Sequence, residues 1–179
     1  MQYFKLPAGV RDILPAESEK LDAAEETLRR KFKAEGFLSV RTAGLEYYDT
    51  FANIKSSVEQ NKMFKMTDKD GNLIVLRPDM TLACARIAAT KLRESAAKLC
   101  YFSNIYDFSA GGNSDREVAQ AGVEIFGEGG ALSDAKAVAF AIDCLKSVGL
   151  KDFIVDIGHV GFYKGLLEGS GLSGAAAEE

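Results

Sequence analysis

Residues that bind metals or form cross-links are scarce in this sequence. It contains one histidine, His159, and three cysteines, Cys84, Cys100 and Cys144, with no C-x-x-C pair among them. One histidine and scattered cysteines do not make a familiar zinc site, and the glycine of "DKDGN" comes too early for a calcium-binding loop. Cysteines that are odd in number and lie in apolar segments are typical of reduced, buried thiols in the cytosol. We therefore expect no metal site and no disulfide, and a structural role for His159.

Clustered positive charge and long apolar runs are also missing. The chain has 22 Lys and Arg against 26 Asp and Glu, a formal net charge of −4. Its one basic cluster, at 29–33, lies on a predicted helix that also carries Glu25, Glu26 and Glu35, whereas nucleic-acid binding requires many clustered cations. No apolar run approaches the ~18 residues of a membrane span, and the N-terminus lacks the apolar core of a leader peptide. We expect a cytoplasmic protein that binds neither nucleic acid nor membranes.

The first half of the sequence predicts a helix, short strands and a second helix. Leu21, Ala24, Leu28 and Phe32 form one apolar stripe, which predicts a helix over 15–35 that ends at Gly36. "FLSVRT" alternates like a strand, and "KMFKMTDKDGNLIVLRP" predicts a hairpin that turns at Asp70-Gly71. Pro78 suits the first turn of the next helix, whose apolar side is formed by Leu82, Ala85, Ala89 and Leu92. Asp79 and Thr81 then lie at that helix's N-terminus.

The second half predicts a long hairpin followed by a helix, a strand and a short helix. "KLCYFSNIYDF" and "REVAQAGVEIFG" flank the polar loop "SAGGNSD". A helix is predicted from Ser133 to about Val148, with Ala135, Val138, Ala139, Ile142 and Leu145 facing inward. "DFIVDIGHV" is predicted to be a strand, and a helix to run from about Gly161 to Glu168. This order favours a single α+β domain over 1–179 with a largely antiparallel sheet.

Polar residues with a glycine between them occur on one face of the second hairpin strand. Gln120, Gly122 and Glu124 alternate, so they share a face, and the glycine leaves space above the sheet. With Asp79 and Thr81 as further acceptors, this face can hold an ammonium group. The alternative is a solvated face or a buried polar pair whose hydrogen bonds are satisfied.

Two arginines are candidates for contacts with an anion. Arg77 at a strand end could clamp a carboxylate or a phosphate, or could anchor the start of the following helix by an ion pair. Arg116, at the start of the second hairpin strand, is open to the same two interpretations.

Seven segments, in order along nearly the whole chain, resemble one known family: "GVRDILP", "LEYYDTF", "KMFKMTDKDG", "VLRPDMT", "ARIAATKLR", "QAGVEIFG" and "DIGHVGFYKGLL". Together they resemble the regulatory subunit of ATP phosphoribosyltransferase, a histidyl-tRNA synthetase-like paralogue. The form "LRPDMT" favours this family over the synthetase itself, which tends to carry an "LRPEGT"-type sequence. The resemblance implies a class II aminoacyl-tRNA synthetase-like fold, a largely antiparallel sheet flanked by helices. It also implies that Asp79, Thr81, Gln120 and Glu124 correspond to residues that hold histidine in the synthetase.

Three differences from the synthetase pattern bear on the function of this chain. Asp107 stands where motif 2 of the synthetase has an arginine that binds the ATP α-phosphate. An anionic side chain there repels phosphate, and loss of one such donor alone costs roughly 10²–10³ in rate. Ala43 stands where motif 1, at the dimer interface, normally has proline. Motif 3 is absent, so we expect an N-terminal fragment or a shortened form of a longer subunit.

The resemblance implies a non-catalytic regulatory protein. Its partner would be the short-form catalytic subunit of ATP phosphoribosyltransferase, which catalyses the first step of histidine biosynthesis. Histidine would act as the feedback effector, no cofactor would be needed, and the chain would form a homodimer or hetero-oligomer. The alternatives are a fragment of a histidyl-tRNA synthetase and a stand-alone amino-acid-binding paralogue.

Overall fold

The computed structural model describes residues 4–52, 58–92, 96–108 and 115–169. Five α-helices and six strands occur in this part of the chain. In order they are α1 (Pro15–Ala34), β1 (Leu38–Ser39), β2 (Leu45–Tyr47), α2 (Asp49–Ala52), β3 (Lys65–Thr67), β4 (Leu73–Leu76), α3 (Thr81–Ile87), β5 (Ala97–Tyr106), β6 (Glu117–Phe126), α4 (Ala131–Ser147) and α5 (Val160–Gly169). A 3₁₀ turn at Gln60–Lys62 precedes β3, and a π-helical turn at Ala88–Leu92 follows α3. No helix within these residues is both long and apolar enough to cross a membrane.

The strands form two three-stranded sheets. In the first, with the order β1-β5-β6, the short β1 runs parallel to β5. Strands β5 and β6 pair antiparallel along their whole length, from Ala97↔Phe126 to Tyr106↔Glu117. In the second sheet, with the order β2-β4-β3, both pairings are antiparallel. The predicted α+β class with a largely antiparallel sheet is therefore confirmed.

The core consists of three apolar clusters, two of them on opposite faces of the β5–β6 hairpin. On one face, Phe32 of α1 and Cys144 of α4 pack with Phe37 and Cys100. On the other face, Met80 and Cys84 at the start of α3 pack against Leu99 and Tyr101 of β5. The third cluster, formed by Phe51, Met63 and Val75, lies on the second sheet. All three cysteines are free and buried, as predicted.

In the first half, α1 and the hairpin of β3 and β4 match the sequence-based prediction, whereas β1 is shorter than the predicted strand and β2 and α2 were not predicted. Helix α1 ends at the predicted place, where Gly36 adopts a φ of 81°. The hairpin turn is closed by Asp68, whose Oδ1 accepts hydrogen bonds from the backbone N–H groups of Asp70 and Asn72. The start of α3 was wrong, because the helix begins at Thr81 rather than at Pro78. The Asp79 carboxylate accepts the N–H of Leu82 and so satisfies a donor of the first helical turn.

In the second half, the prediction for α4 needs two corrections. The helix begins at Ala131, after Gly130, so Ser133 lies inside its first turn and is not its cap. Phe140 and Cys144 face the core, whereas Ala135, Ala139 and Leu145 of the predicted inward stripe are exposed. The large Phe140 ring stacks on Phe37 with 5.4 Å between the ring centroids, and this contact determines which side of the helix is buried.

The last part of the described chain also differs from its prediction. The segment 153–159 forms no strand with the described residues, and Ile154 and Ile157 are exposed. A strand requires a neighbour for its backbone hydrogen bonds, and no described strand supplies one here. Helix α5 begins one residue before its predicted start. The His159 imidazole accepts the N–H of Gly161 at 3.1 Å, a local contact at the start of this helix.

Candidate functional site

The N-terminus of α3 contacts the β5–β6 hairpin, near the end opposite its loop, through a direct hydrogen bond. The Thr81 hydroxyl donates to Oε1 of Glu124 at 2.8 Å. Asp79 lies two residues before Thr81, and its charge acts on Glu124. The structure therefore brings together Asp79, Thr81 and Glu124, three of the four residues that the sequence assigned to one pocket.

The electrostatics of this cluster favour a positively charged group. Burial raises the pKa of Glu124, the Thr81 hydrogen bond opposes this shift, and the nearby charge of Asp79 adds to it. Among the described residues, neither carboxylate forms an ion pair with a cation. Two carboxylates in a half-buried site stabilise an added ammonium group, which would in turn favour the ionised form of Glu124.

Two buried residues next to the cluster, Cys84 and Tyr101, have raised pKa values. Burial, and then the charges of Glu124 and Asp79, raise the pKa of Cys84 to about 12. The same causes raise the pKa of Tyr101 above its usual range. Both groups therefore stay neutral at physiological pH, and the negative charge of the site comes from the two carboxylates.

The space above Gly122 is occupied by a residue that the sequence reasoning missed. Tyr101 lies opposite Gly122 in the hairpin register. Its hydroxyl oxygen is 2.3 Å from the position that a Cβ on Gly122 would take, and the side chain is 5% exposed. The glycine therefore makes room for the Tyr101 ring, which lies between Gln120 and Glu124. The alternation of β6 pointed to the space, but only the cross-strand register identifies the residue that fills it.

Gln120 lies on β6 four residues before Glu124, toward the loop of the hairpin. It pairs with Ser103, whereas Glu124 pairs with Leu99, so four residues, or roughly 13 Å of strand, separate the two positions. Its Oε1 is buried and has no hydrogen-bond partner in the part of the chain that the structure describes. A donor on a ligand would satisfy this oxygen, and the assignment of Gln120 to the pocket stays a prediction.

Arg77 joins the two sheets. Its side chain, 9% exposed, donates from Nε to the Asn104 carbonyl at 2.8 Å and from Nη1 to the carbonyls of Thr42 and Ala43. Its backbone carbonyl also accepts the N–H of Tyr106 at 3.1 Å. The partners are carbonyl groups and the Thr42 hydroxyl, so these contacts are not the predicted ion pair. An anion-binding role for Arg77 stays a prediction.

Asp107 and Arg116 lie together at the loop end of the β5–β6 hairpin, away from Glu124. The Asp107 N–H donates to the Arg116 carbonyl at 2.9 Å, and the Arg116 N–H donates to the Gly9 carbonyl at 2.6 Å. The Arg116 guanidinium lies 5.5 Å from the centroid of the Phe108 ring. The N-terminal segment thus contacts the start of β6, and an anion-binding role for Arg116 stays a prediction.

The comparison with known proteins identifies the family. A model of the histidyl-tRNA synthetase family matches residues 9–179. The chain belongs to the histidyl-tRNA synthetase family. Within it, the chain is 42% identical over 176 residues to a protein of Acetivibrio thermocellus named ATP phosphoribosyltransferase regulatory subunit. That match covers 97% of this chain and 42% of the relative.

Solved structures of the histidyl-tRNA synthetase family agree with this assignment. A Bacillus halodurans protein, described as an ATP phosphoribosyltransferase regulatory subunit/histidyl-tRNA synthetase, superimposes with a TM-score of 0.85 at 37% identity and covers 93% of this chain and 43% of its own. Apo histidyl-tRNA synthetase of S. aureus superimposes with a TM-score of 0.68 at 28% identity. That match covers 83% of this chain and 35% of the synthetase chain. The class II synthetase-like fold is thereby confirmed. The chain spans less than half the length of these relatives.

Proposed function

We propose that this chain is part of a non-catalytic regulatory subunit of ATP phosphoribosyltransferase. It would assemble with the short-form catalytic subunit in the first step of histidine biosynthesis and convey feedback inhibition by histidine. The observation that carries this proposal is the 42% identity, through nearly the whole chain, to a protein named as that regulatory subunit.

The residue at position 107 supports a role without catalysis. The resemblance to motif 2 implies that Asp107 stands where the synthetase has an arginine that contacts ATP, and a carboxylate at that position repels phosphate. A regulatory subunit acts in a different way, by changing the partner's equilibrium between active and inhibited states. Histidine can convey inhibition only if it binds those states with different affinity.

The decisive experiment measures formation of phosphoribosyl-ATP by the short catalytic subunit, with and without this chain, across a histidine titration. We expect the chain to change the activity and histidine to reverse that change. The full-length Acetivibrio thermocellus relative serves as the control for a chain of complete length. If neither protein alters the activity or forms a complex on size exclusion, the proposal is wrong. If only the longer one acts, the regulatory contacts lie outside this chain.

We propose further that Asp79, Thr81, Gln120 and Glu124 hold the ammonium group of an amino acid, histidine being the first to test. The Thr81–Glu124 hydrogen bond and the two carboxylates without a cationic partner among the described residues support this assignment. Calorimetric titration with histidine should give a weaker affinity for Glu124→Gln than for the original chain. Glu128→Gln, an exposed carboxylate outside the cluster, is the matched control and should bind normally.

The rival function is activation of an amino acid with ATP, which the names of the synthetase neighbours favour. ATP–pyrophosphate exchange in the presence of histidine tests it. We expect no exchange above background, both for this chain and for a Glu124→Gln control. Exchange that requires histidine and Glu124 would replace the regulatory proposal with the enzymatic one.

A further inference from the structure

Helix α3 is packed between the two sheets. On one side, Cys84 packs in the apolar cluster on the β5–β6 hairpin, and Thr81 donates its hydrogen bond to Glu124. On the other side, Leu82 packs against the apolar cluster of the second sheet. Because the helix has only seven residues, a displacement on the side of the second sheet also moves the residues that face the hairpin.

A partly buried ion pair connects the same helix to the second sheet. Arg86, in the last turn of α3, donates from Nη2 to Oε1 of Glu46 on β2. The Glu46 side chain is 8% exposed. Glu46 pairs with the fully buried Val75 in the β2–β4 register. The sheet therefore holds the carboxylate, and the carboxylate holds the guanidinium.

This ion pair gives α3 a fixed position that an apolar contact alone does not give. Arg86 and Leu82 are four residues apart, so they lie on the same side of the helix. The apolar contact of Leu82 has no preferred direction, whereas a hydrogen-bonded ion pair specifies a distance and an angle. The Nε of Arg86 is buried and has no hydrogen-bond partner in the part of the chain that the structure describes. Without Glu46, the guanidinium would turn toward water, and the last turn of α3 would move with it.

The other end of α3 carries the residues of the candidate site. Thr81 lies five residues before Arg86, or roughly 7.5 Å along the helix axis. Its hydrogen bond to Glu124, at 2.8 Å, weakens steeply when the distance or the angle changes. Asp79 accepts the N–H of Leu82 at 3.2 Å, so it moves with the first turn of the helix. A small displacement of α3 therefore changes the position of two acceptors relative to Glu124.

We propose that Glu46 and Arg86 are positioning residues for the candidate site: their ion pair fixes α3 so that Thr81 stays within hydrogen-bond distance of Glu124. Both act through the helix and not by contact with a ligand. Supporting contacts of this kind hold binding groups to within about 0.5 Å of the required geometry. The consequence for ligand affinity rests on the proposed function, whereas the effect on the hydrogen bond does not.

The pKa of the Glu124 carboxyl group reports this hydrogen bond in the absence of ligand. The Thr81 hydroxyl lowers that pKa, while burial and the charge of Asp79 raise it. We expect Thr81→Val to raise the pKa, as measured by carbon NMR on the full 179-residue chain, because the hydrogen bond is removed. Arg86→Met should raise it by at least half as much. Arg30→Met, at an exposed arginine of α1, is the control and should leave it unchanged.

Two further variants distinguish the position of α3 from a simple effect of charge. Loss of the Arg86 charge alone could raise the pKa of a carboxyl group, but the double variant Glu46→Leu with Arg86→Met keeps the net charge of the chain. Replacement of both partners of a buried pair by apolar residues commonly preserves the fold, so this variant also serves if Arg86→Met does not fold. In a Thr81→Val background, Arg86→Met should have no further effect, because the two changes act on one interaction. The proposal is overturned if the double variant leaves the Glu124 pKa unchanged, or if Arg86→Met has the same effect with and without Thr81.

The same variants test the consequence for the proposed ammonium site. In calorimetric titration with histidine, Arg86→Met and the double variant should bind at least about threefold more weakly than the original chain, because the acceptors no longer converge on one point. If the original chain does not bind histidine, the proposed site is wrong, while the Glu124 pKa still decides the role of the ion pair. If the original chain binds histidine and the variants bind it equally well, Glu46 and Arg86 do not position the site.

Discussion

At the residue scale, position 122 is restricted to glycine by the ring opposite it. A Cβ there would lie 2.3 Å from the Tyr101 hydroxyl oxygen and 2.4 Å from Cζ, distances that force the buried ring to move. We predict that Gly122→Ala lowers the free energy of unfolding by about 2 kcal/mol, measured by urea denaturation. Gly129→Ala is the control, because nothing lies within 4 Å of its Cβ position. Equal effects of the two substitutions would show that Tyr101 adapts freely.

Glu124 should make stability depend on pH. Burial raises its pKa in the folded chain, so ionisation is less favourable in the folded than in the unfolded state. The stability that the protonated group contributes is present below the unfolded pKa and is lost as the pH rises through the folded value. We predict that Glu124→Gln, which can still accept the Thr81 hydrogen bond, raises the urea midpoint at neutral pH.

The pH profile distinguishes this effect from a general change in packing. The gain from Glu124→Gln should shrink as the pH falls below the ordinary glutamate value of about 4.3, where both states are protonated. Glu128→Gln, at an exposed position, provides the baseline. A gain that stays constant over the whole range would mean that ionisation of Glu124 is not its cause.

These residues also show what the sequence could predict about the site. Alternation along β6 was enough to put Gln120, Gly122 and Glu124 on one face, because that periodicity is local. The grouping of Asp79 and Thr81 with Glu124 is a contact between distant segments, and the family resemblance implied it. Tyr101 was out of reach, since its position opposite Gly122 depends on the register across a loop of uncertain length.

At the scale of elements, the junction of the two sheets depends on Arg77. Arg77→Met would remove donors to three carbonyl groups and to the Thr42 hydroxyl, in surroundings that leave the side chain 9% exposed. Because these acceptors are only partly buried and water can replace some of the lost donors, we predict a loss of about 1–3 kcal/mol. Hydrogen exchange should accelerate at β4 and β5 first. Arg41→Met, at an exposed arginine, is the control. Similar losses of unfolding free energy in the two variants would show that Arg77 has no special role in joining the sheets.

Helix α4 shows why a helix can be predicted while its orientation is not. Its length and its end near Gly149 follow from composition and from a glycine with a φ of 95°. The alanine-rich stripe looked apolar enough to be the buried side. A stripe of small side chains buries little area, however, and the ring of Phe140, within 5.8 Å of Phe32 and 5.4 Å of Phe37, provides the larger contact.

At the scale of the whole molecule, the chain divides into two compact units after Val148. All three apolar clusters belong to the first unit. In the second, Ile154, Ile157, Val160, Phe162 and Leu166 are more than half exposed. A unit with its own core is expected to unfold cooperatively by itself.

We therefore predict that a chain ending at Leu150, which keeps Gly149 after α4, folds without the second unit. Its free energy of unfolding in urea should stay within about 1 kcal/mol of the full chain, because the removed residues contribute to none of the three clusters. Circular dichroism measures the transition, and hydrogen exchange of β5 and β6 shows whether the sheet is intact. Ending the chain at Phe140 instead removes Cys144 from the first cluster and should destabilise it strongly. If the chain ending at Leu150 is as unstable as the one ending at Phe140, the second unit is required for the core.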